Sequence, residues 1–471
     1  MNGLQRDLGL TSLAATGICS MLGASVYIVP FMIQRNVPGI DSWVIPAFLF
    51  AALPALFAAL AYGALGTALP EAGGSYIYAS RGLNRFLGFV ASFSQWFGLS
   101  IAIGVISYVI VPFFRDAALA WNWIEVAQLL ENGTVRVSLA LGLLWLFVWI
   151  NIRGLSLYKK TLIPLMILMF VLGAVVIVVG FSYNHVDYLQ AVNKEQLKPA
   201  LTKLLPDTWT FLSASAVLFA SFIGFDSIAQ AGSEAHNPKR NIPLAIVITL
   251  GTVGGFYLLF TAAVYHTVPW YVVAEQAQSQ DLTAPGLLSP VLAPALAALI
   301  ILGAAIALVN DLPAMLLSVS RLLFAWSKDK IFPDAGARVH KVYLTPYVAL
   351  IASGCAASLG ILGSHFAGDF FLGVDIMVTS MLVNFMLICL TLVLIDRVNP
   401  EVSAKISFIS SVRLRYVVGI SGILLLITFL VIHVAKDLAS EMPWYFKSTP
   451  IWIGVMILGS LNYAIKYKSK E

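Results

Sequence analysis

Apolar runs of about twenty residues recur along this chain, parted by short polar stretches. Twelve can be counted, near residues 10–34, 43–68, 87–114, 137–152, 161–182, 208–231, 243–267, 288–316, 343–363, 370–396, 414–434 and 448–466. A helix of that length crosses roughly 30 Å of hydrocarbon. In lipid every backbone amide must find its partner inside the chain, and the runs lack the alternation over about ten residues that marks barrel strands. The expected fold is an all-α integral membrane bundle of twelve transmembrane helices, with only short loops between them. The first run begins after about nine residues, is too long for a signal-peptide core and is followed by no small-residue cleavage site, so it reads as a retained first helix.

Two of the runs are interrupted alike. Ser20-Met21-Leu22-Gly23-Ala24-Ser25 sits near the middle of the first, and Ser221-Phe222-Ile223-Gly224-Phe225-Asp226 near the middle of the sixth; both read Ser-x-x-Gly-x-polar. Five helices then form a unit, residues 1–182, and a second unit follows over 183–396. An odd number of spans turns the second copy upside down, giving a five-plus-five inverted repeat in which discontinuous helices 1 and 6 meet at the bilayer midplane to form a substrate site. Helices 11 and 12, residues 397–471, fall outside the repeat and serve packing or oligomer contacts. Glycine and serine also suit close helix packing. Two interruptions in register, one carrying a carboxylate, favour a site, because unwound backbone exposes N–H and C=O groups that bind a ligand.

Composition agrees: 59% of the 471 residues are hydrophobic and 11% charged, against roughly 25% charged in an ordinary soluble domain. The net charge of +5 does not call for a nucleic-acid partner, because the charges are topological. With the N-terminus in the cytoplasm, twenty of the twenty-eight Lys and Arg fall on the inner side, Arg6, Arg321, Arg415 and Lys470 among them. The outer side holds Arg35, Arg115, Arg136, Lys194, Lys198, Lys203, Lys436 and Lys447. That bias follows the positive-inside rule and sets both termini in the cytoplasm of a plasma (inner) membrane protein. Cys19, Cys355 and Cys389 lie in apolar runs and read as small hydrophobes. Asn132-Gly133-Thr134 matches a glycosylation sequon, a frequent chance pattern. His266, His340 and His365 show no zinc spacing, and neither a catalytic triad nor a phosphate loop is present. The chain reads as no enzyme and as needing no cofactor or metal; its energy source is an ion gradient or solute exchange.

Ionisable groups at membrane depth are expensive and mark function by default. Asp226, in the sixth run, suits a substrate amine, a proton or a role in ordering the gate. Asp311, beside Asn310 in the eighth run, reads equally as a cavity-facing cation or proton site and as a helix contact; Pro313 just after it favours a backbone distortion. Gln95 can reach the cavity or bond between helices. Asp375 and His433 lie nearer helix ends and are expected to meet water.

The stretch Leu69-Pro70-Glu71-Ala72-Gly73-Gly74-Ser75-Tyr76-Ile77-Tyr78 resembles the signature of the amino acid-polyamine-organocation transporters. Gly23-Ala24-Ser25-Val26-Tyr27 is similar to that family's helix 1 glycine motif, Phe222-Ile223-Gly224-Phe225-Asp226 with Asn237-Pro238-Lys239-Arg240 to its helix 6 and following loop, and Ser320-Arg321-Leu322 with Phe332-Pro333 and Thr345-Pro346 to its loop after helix 8. The matches run in order over helices 1 to 9. The resemblance implies the leucine-transporter-like fold and a secondary active amino acid permease working by alternating access. It puts the substrate carboxylate on N–H groups of Gly23, Ala24 and Ser25 and the ammonium on carbonyls of Met21, Leu22, Phe222 and Ile223. Phe225 or Phe222 becomes an aromatic gate, and Gly224 keeps the wall thin. A helix N-terminus carries roughly half a positive charge, so a zwitterion fits between two such breaks.

This chain departs from that pattern in two places. Ser25 stands where the motif's third residue is usually Gly, which costs backbone freedom. Helix 5 reads Met166-Ile167-Leu168-Met169-Phe170 where proton-coupled relatives can carry a lysine. Coupling to H+ or Na+ stays open, with Ser318 and Ser320 as candidate sodium oxygens. A neutral amino acid suits the apolar surroundings of helices 3 and 6; two buried carboxylates argue for a cationic amino acid or polyamine. A non-transporting amino acid sensor is a further alternative, and an ion channel is disfavoured by the lack of a filter loop.

Overall fold

The computed structural model describes residues 4, 6–193, 206–280, 282–367 and 370–468. Among them are twelve helices long and apolar enough to cross a membrane: helix 1 Leu10–Asn36, helix 2 Asp41–Ala68, helix 3 Arg85–Ala120, helix 4 Gly133–Ile152, helix 5 Leu155–Ser182, helix 6 Thr208–Gln230, helix 7 Pro238–Thr267, helix 8 Pro294–Lys328, helix 9 Tyr347–Phe366, helix 10 Leu372–Val398, helix 11 Val412–Ala439 and helix 12 Ser448–Lys466. The described residues contain no strand, only the isolated bridges Leu8 to Ala235 and Ala72 to Ala231. Lys194, Lys198, Lys203 and Lys470 lie outside the described residues.

The helices divide by burial. The most apolar windows of helices 1 and 6 are 94% and 89% buried within the protein, whereas those of helices 4, 5 and 12 are 33%, 33% and 28% buried. A helix shielded from lipid on all sides can open its hydrogen-bond ladder without exposing amides to hydrocarbon, so the two enclosed helices are the ones free to unwind. Helix 8 packs along helix 3 and also touches helices 1, 4, 5 and 9, while helix 10 bridges helices 3 and 11.

Helices 3 and 8 run past the ends of their apolar runs. Helix 8 continues to Lys328 because Arg321, expected among the inner-side charges that follow the positive-inside rule, is instead 1% exposed and paired with Glu234, Nη2 to Oε1 at 2.7 Å and Nε to Oε2 at 3.0 Å. Arg415 is likewise buried, on Asp396 at 2.8 Å. A paired guanidinium can sit where a lone one cannot. His433 also differs from expectation: it is buried, 4% exposed, and bonds the Asp375 carbonyl at 3.2 Å.

The loop after helix 2 carries a short helix, Gly74–Gly82, entered through Gly73 at φ +78°. A Cβ on Gly73 would meet Ala325 at 2.5 Å, and one on Gly74 the Ala229 carbonyl at 2.6 Å. The paired glycines of this stretch therefore let the loop dock on helices 6 and 8, where Gly73 N–H bonds Gln230 O at 3.0 Å.

Candidate functional site

Helix 1 is built in two pieces, Leu10–Met21 and Ala24–Asn36, joined through Leu22 and Gly23. No side chain caps the second piece, whose N-cap Gly23 has φ −116° and ψ −135°. The N–H groups of Gly23, Ala24 and Ser25 have no carbonyl one turn before them, as at any helix start. Tyr257 of helix 7 spans the join: its hydroxyl donates to the Met21 carbonyl at 2.9 Å and shares a short hydrogen bond with the Ser25 hydroxyl. Met21 O keeps a second lone pair.

Helix 6 ends its regular part at Leu218, tightens to a 3-10 turn over Phe219–Phe222, goes extended at Ile223 and resumes as one turn, Ser227–Gln230. Gly224 lies between at φ +133°, where an added Cβ would come within 2.8 Å of Met21 N. Backbone thus faces backbone where the two joins cross, and only a residue without a side chain fits. Asp226 holds the turn, accepting Gly224 N–H at 3.2 Å on Oδ1 and the Gln95 amide on Oδ2.

From Asp226 a hydrogen-bonded chain leads away through buried groups. Gln230 donates to Gln95 Oε1 at 3.3 Å and to Ser75 Oγ at 2.7 Å; Ser75 bonds Tyr62 at 2.6 Å, and Asn384 donates to Tyr62 at 2.7 Å. Asp226 and Gln95 are completely buried.

A small cavity opens beside the joins. It is lined by Ser20, Met21, Ser25, Ile223, Ala220 and Asp311, and beyond these by apolar side chains of helices 1, 3, 8 and 10. Of the residues singled out from sequence, Met21, Ser25, Ile223 and Asp311 share this wall. The Asp311 carboxylate lies against Gly23, where a Cβ would overlap it. Gln95 and Asp226 bond one another off the cavity. The two candidate gate rings are also elsewhere: Phe222 lies edge-on to Phe48 with centroids 5.3 Å apart, and Phe225 stacks on Phe385 at 5.0 Å. Ser320 is engaged by its own helix and by Arg321, whose Nη1 donates to it at 2.9 Å. Tyr257, Gln230 and Asn384 carry no sequence signal beyond being polar in an apolar run, whereas Ser75 lies in the stretch Leu69 to Tyr78 that carries the family resemblance.

The segment after helix 6 is tied to the N-terminal residues and to helix 8. Glu234, besides its pair with Arg321, accepts the Asp7 and Leu8 N–H groups on its carbonyl at 3.0 and 2.9 Å, and Lys159 holds Asp7 at 2.6 Å.

Comparison with known proteins gives one family match, described as amino acid permease, over residues 8–458. The chain is 25% identical over 367 residues to the branched-chain amino acid permease of Bacillus subtilis, covering 76% of this chain and 74% of that one. It is 24% identical over 417 residues to the methylthioribose transporter of the same organism, 85% and 84% of the two chains. With cationic amino acid transporter 4 of Mus musculus the identity is 26% over 381 residues, 76% of this chain and 55% of the mouse protein.

Proposed function

We propose a transport cycle from the premise that this chain belongs to the amino acid permease family, a family of membrane transporters rather than enzymes. The protein is a multi-pass membrane protein, with twelve membrane-length helices among its described residues. In our reading residues 1–182 and 183–396 are the two inverted halves, helices 1 and 6 are their paired discontinuous helices, and 397–471 add the last two. Both termini face the cytoplasm, the membrane being the plasma (inner) membrane. The cavity then lies on the outer side of the joins, and the Glu234 ties close the inner side.

The observation that carries the proposal is the uncapped start of the second piece of helix 1, set beside the helix 6 join and facing the cavity. Its N–H groups suit a substrate carboxylate. The carbonyls around Met21 and Ile223, at the other side of the two joins, suit an ammonium. A neutral amino acid fits better than a cationic one, because Asp226 is turned to Gln95 and Gly224, off the cavity, and the cavity wall is apolar apart from Ser20, Ser25 and the single carboxylate of Asp311. The relatives named for branched-chain and cationic amino acids bracket this choice. The driving force is an H+ or Na+ gradient, or exchange against internal solute.

The test is uptake of a labelled amino acid panel, with polyamines, into liposomes holding the purified protein, varying sodium, pH and internal solute separately. Saturable uptake of neutral amino acids is the expected result; binding without uptake under any gradient would instead indicate a sensor. Ser25→Phe should remove substrate binding at least tenfold while leaving membrane insertion intact, since the ring would fill the cavity and break the Tyr257 bond. Undiminished uptake by that variant removes helix 1 from the site. Asp226→Asn keeps the Gly224 bond but turns an amide toward the Gln95 amide, a cost of about 1–3 kcal/mol. Uptake should fall several-fold with an unshifted pH profile; a shifted profile would make Asp226 a titrating group instead of a strut.

A further inference from the structure

Between the end of helix 8 and the start of helix 9 the chain folds around a cleft of about 570 Å³. Ser327, Lys328, Asp334, Arg338, His340 and Lys341 line it. Residues 328–341 hold four cations, Lys328, Lys330, Arg338 and Lys341, and two acids, Asp329 and Asp334. Asp329 is turned elsewhere: it accepts the Tyr76 hydroxyl at 2.7 Å and lies 3.8 Å from Arg85. Asp334 is therefore the acid that shares the wall with the cations. Lys328, Arg338 and Lys341 are exposed, and among the described residues none of the three is held in an ion pair.

Charges that only set topology can scatter along a loop; these are gathered by the way the loop folds. The turn Asp334–Ala337 lies flush on helix 8, since a Cβ on Gly336 would come within 2.2 Å of Ser327 Oγ. The His340 N–H bonds Thr345 O at 2.8 Å and the Leu344 N–H bonds His340 O at 3.0 Å, closing the segment on itself. The His340 ring accepts the Val342 and Tyr343 N–H groups on Nδ1, each at 3.2 Å, so its neutral form carries the proton on Nε2 as a further donor. Lys330 and Leu344, also on the wall, take φ +63° and +53°, a left-handed conformation uncommon outside glycine. Ser327 is 2% exposed and its hydroxyl has no hydrogen-bond partner among the described residues, where a buried hydroxyl ordinarily has one.

We propose that this cleft binds a phosphate-bearing anion, a soluble phosphate ester or the headgroup of an anionic lipid. Lys328 and Lys341 supply compact charges, and Arg338 a planar fork that matches two phosphate oxygens. The volume falls within the roughly 300–1,000 Å³ of small-molecule sites. With both termini in the cytoplasm, as proposed above, the cleft faces the inner leaflet, where basic residues beside a helix end attract anionic headgroups. That reading sets the side of the membrane and not the chemistry of the site.

The experiment uses the purified full chain in zwitterionic micelles, where binding is read without transport and without orientation. Glycerol 3-phosphate against glycerol is followed by the unfolding midpoint, and phosphatidic acid against phosphatidylcholine by the lipid retained in native mass spectrometry. Wild type should bind at least one of the two phosphates. Binding of glycerol 3-phosphate assigns the cleft to a soluble ester, and binding of phosphatidic acid alone assigns it to a lipid. The triple variant Lys328→Gln, Arg338→Gln, Lys341→Gln should bind the same probe about tenfold more weakly, the loss of one or more charge-assisted hydrogen bonds. Arg397→Gln, Lys405→Gln, Arg413→Gln removes the same charge from exposed residues around the helix 10 to 11 loop and should bind as wild type does. Arg338→Lys keeps the charge without the fork and should lose several-fold, which decides the matter where the triple variant fails to fold. No binding of either phosphate by wild type, equal losses in the two triple variants, or full binding by Arg338→Lys together with the cleft triple would overturn the proposal. Amino acid uptake tests the transport reading alone, so the two readings fail separately.

Discussion

Gly224→Ala is expected to abolish transport and to destabilise the fold by about 2–5 kcal/mol, the sum of a left-handed backbone penalty and an overpacked contact. Two features act together. The residue sits at φ +133°, and its missing side chain lets helix 6 lie against the backbone of Ser20 and Met21. A methyl group there cannot be relieved by a rotamer change, because what it meets is main chain. The joins must separate, and Met21, Ser25 and Ile223 of the cavity wall are displaced with them. Gly255→Ala in helix 7 is the control, since nothing lies within 4 Å of its Cβ position; a helical Gly→Ala change there should stabilise by up to about 1 kcal/mol. Exchange assays and unfolding midpoints in micelles measure both. Full exchange by Gly224→Ala would show that the crossing is not part of the working site.

Glu234→Gln is expected to cost about 3–5 kcal/mol, because it leaves the Arg321 guanidinium buried without its counter-charge. The pair is bidentate and each partner is 1% exposed. Adding Arg321→Met to Glu234→Gln should recover part of the lost stability, because the double variant no longer buries an unpaired charge. Denaturant titration of the two single variants and the double variant checks this. A double variant as unstable as the sum of the singles would mean that each residue acts through other partners.

The fold was readable because bilayer thickness dictates run length: each of the twelve apolar runs overlaps one membrane-length helix. Helix ends were less readable. Nothing local tells that Arg321 continues helix 8 and pairs with a residue 87 positions away, so the charge looked like a loop cation. The joins at Leu22–Gly23 and Ile223–Gly224 were announced by glycine and serine inside apolar runs. What each polar group near them faces was not announced. Asp226 could as well have pointed into the cavity; the Gln95 amide from helix 3 decides that, and a contact between distant helices leaves no trace in local pattern. Tyr257 is the plainest case, one tyrosine in an apolar helix that turns out to pin both sides of the helix 1 join.

Glu234 fastens three separate stretches at once: the N-terminal residues Asp7 and Leu8 through its carbonyl, helix 8 through its carboxylate, and its own segment after helix 6. Loosening any one of them strands a buried charge or two backbone amides, so the three should let go as a unit. The Leu8 amide then becomes a timekeeper for the cycle. Its deuterium uptake should be slow in resting protein and should rise in step with turnover. A closure that opens only as a whole also has no partly open form through which ions could slip.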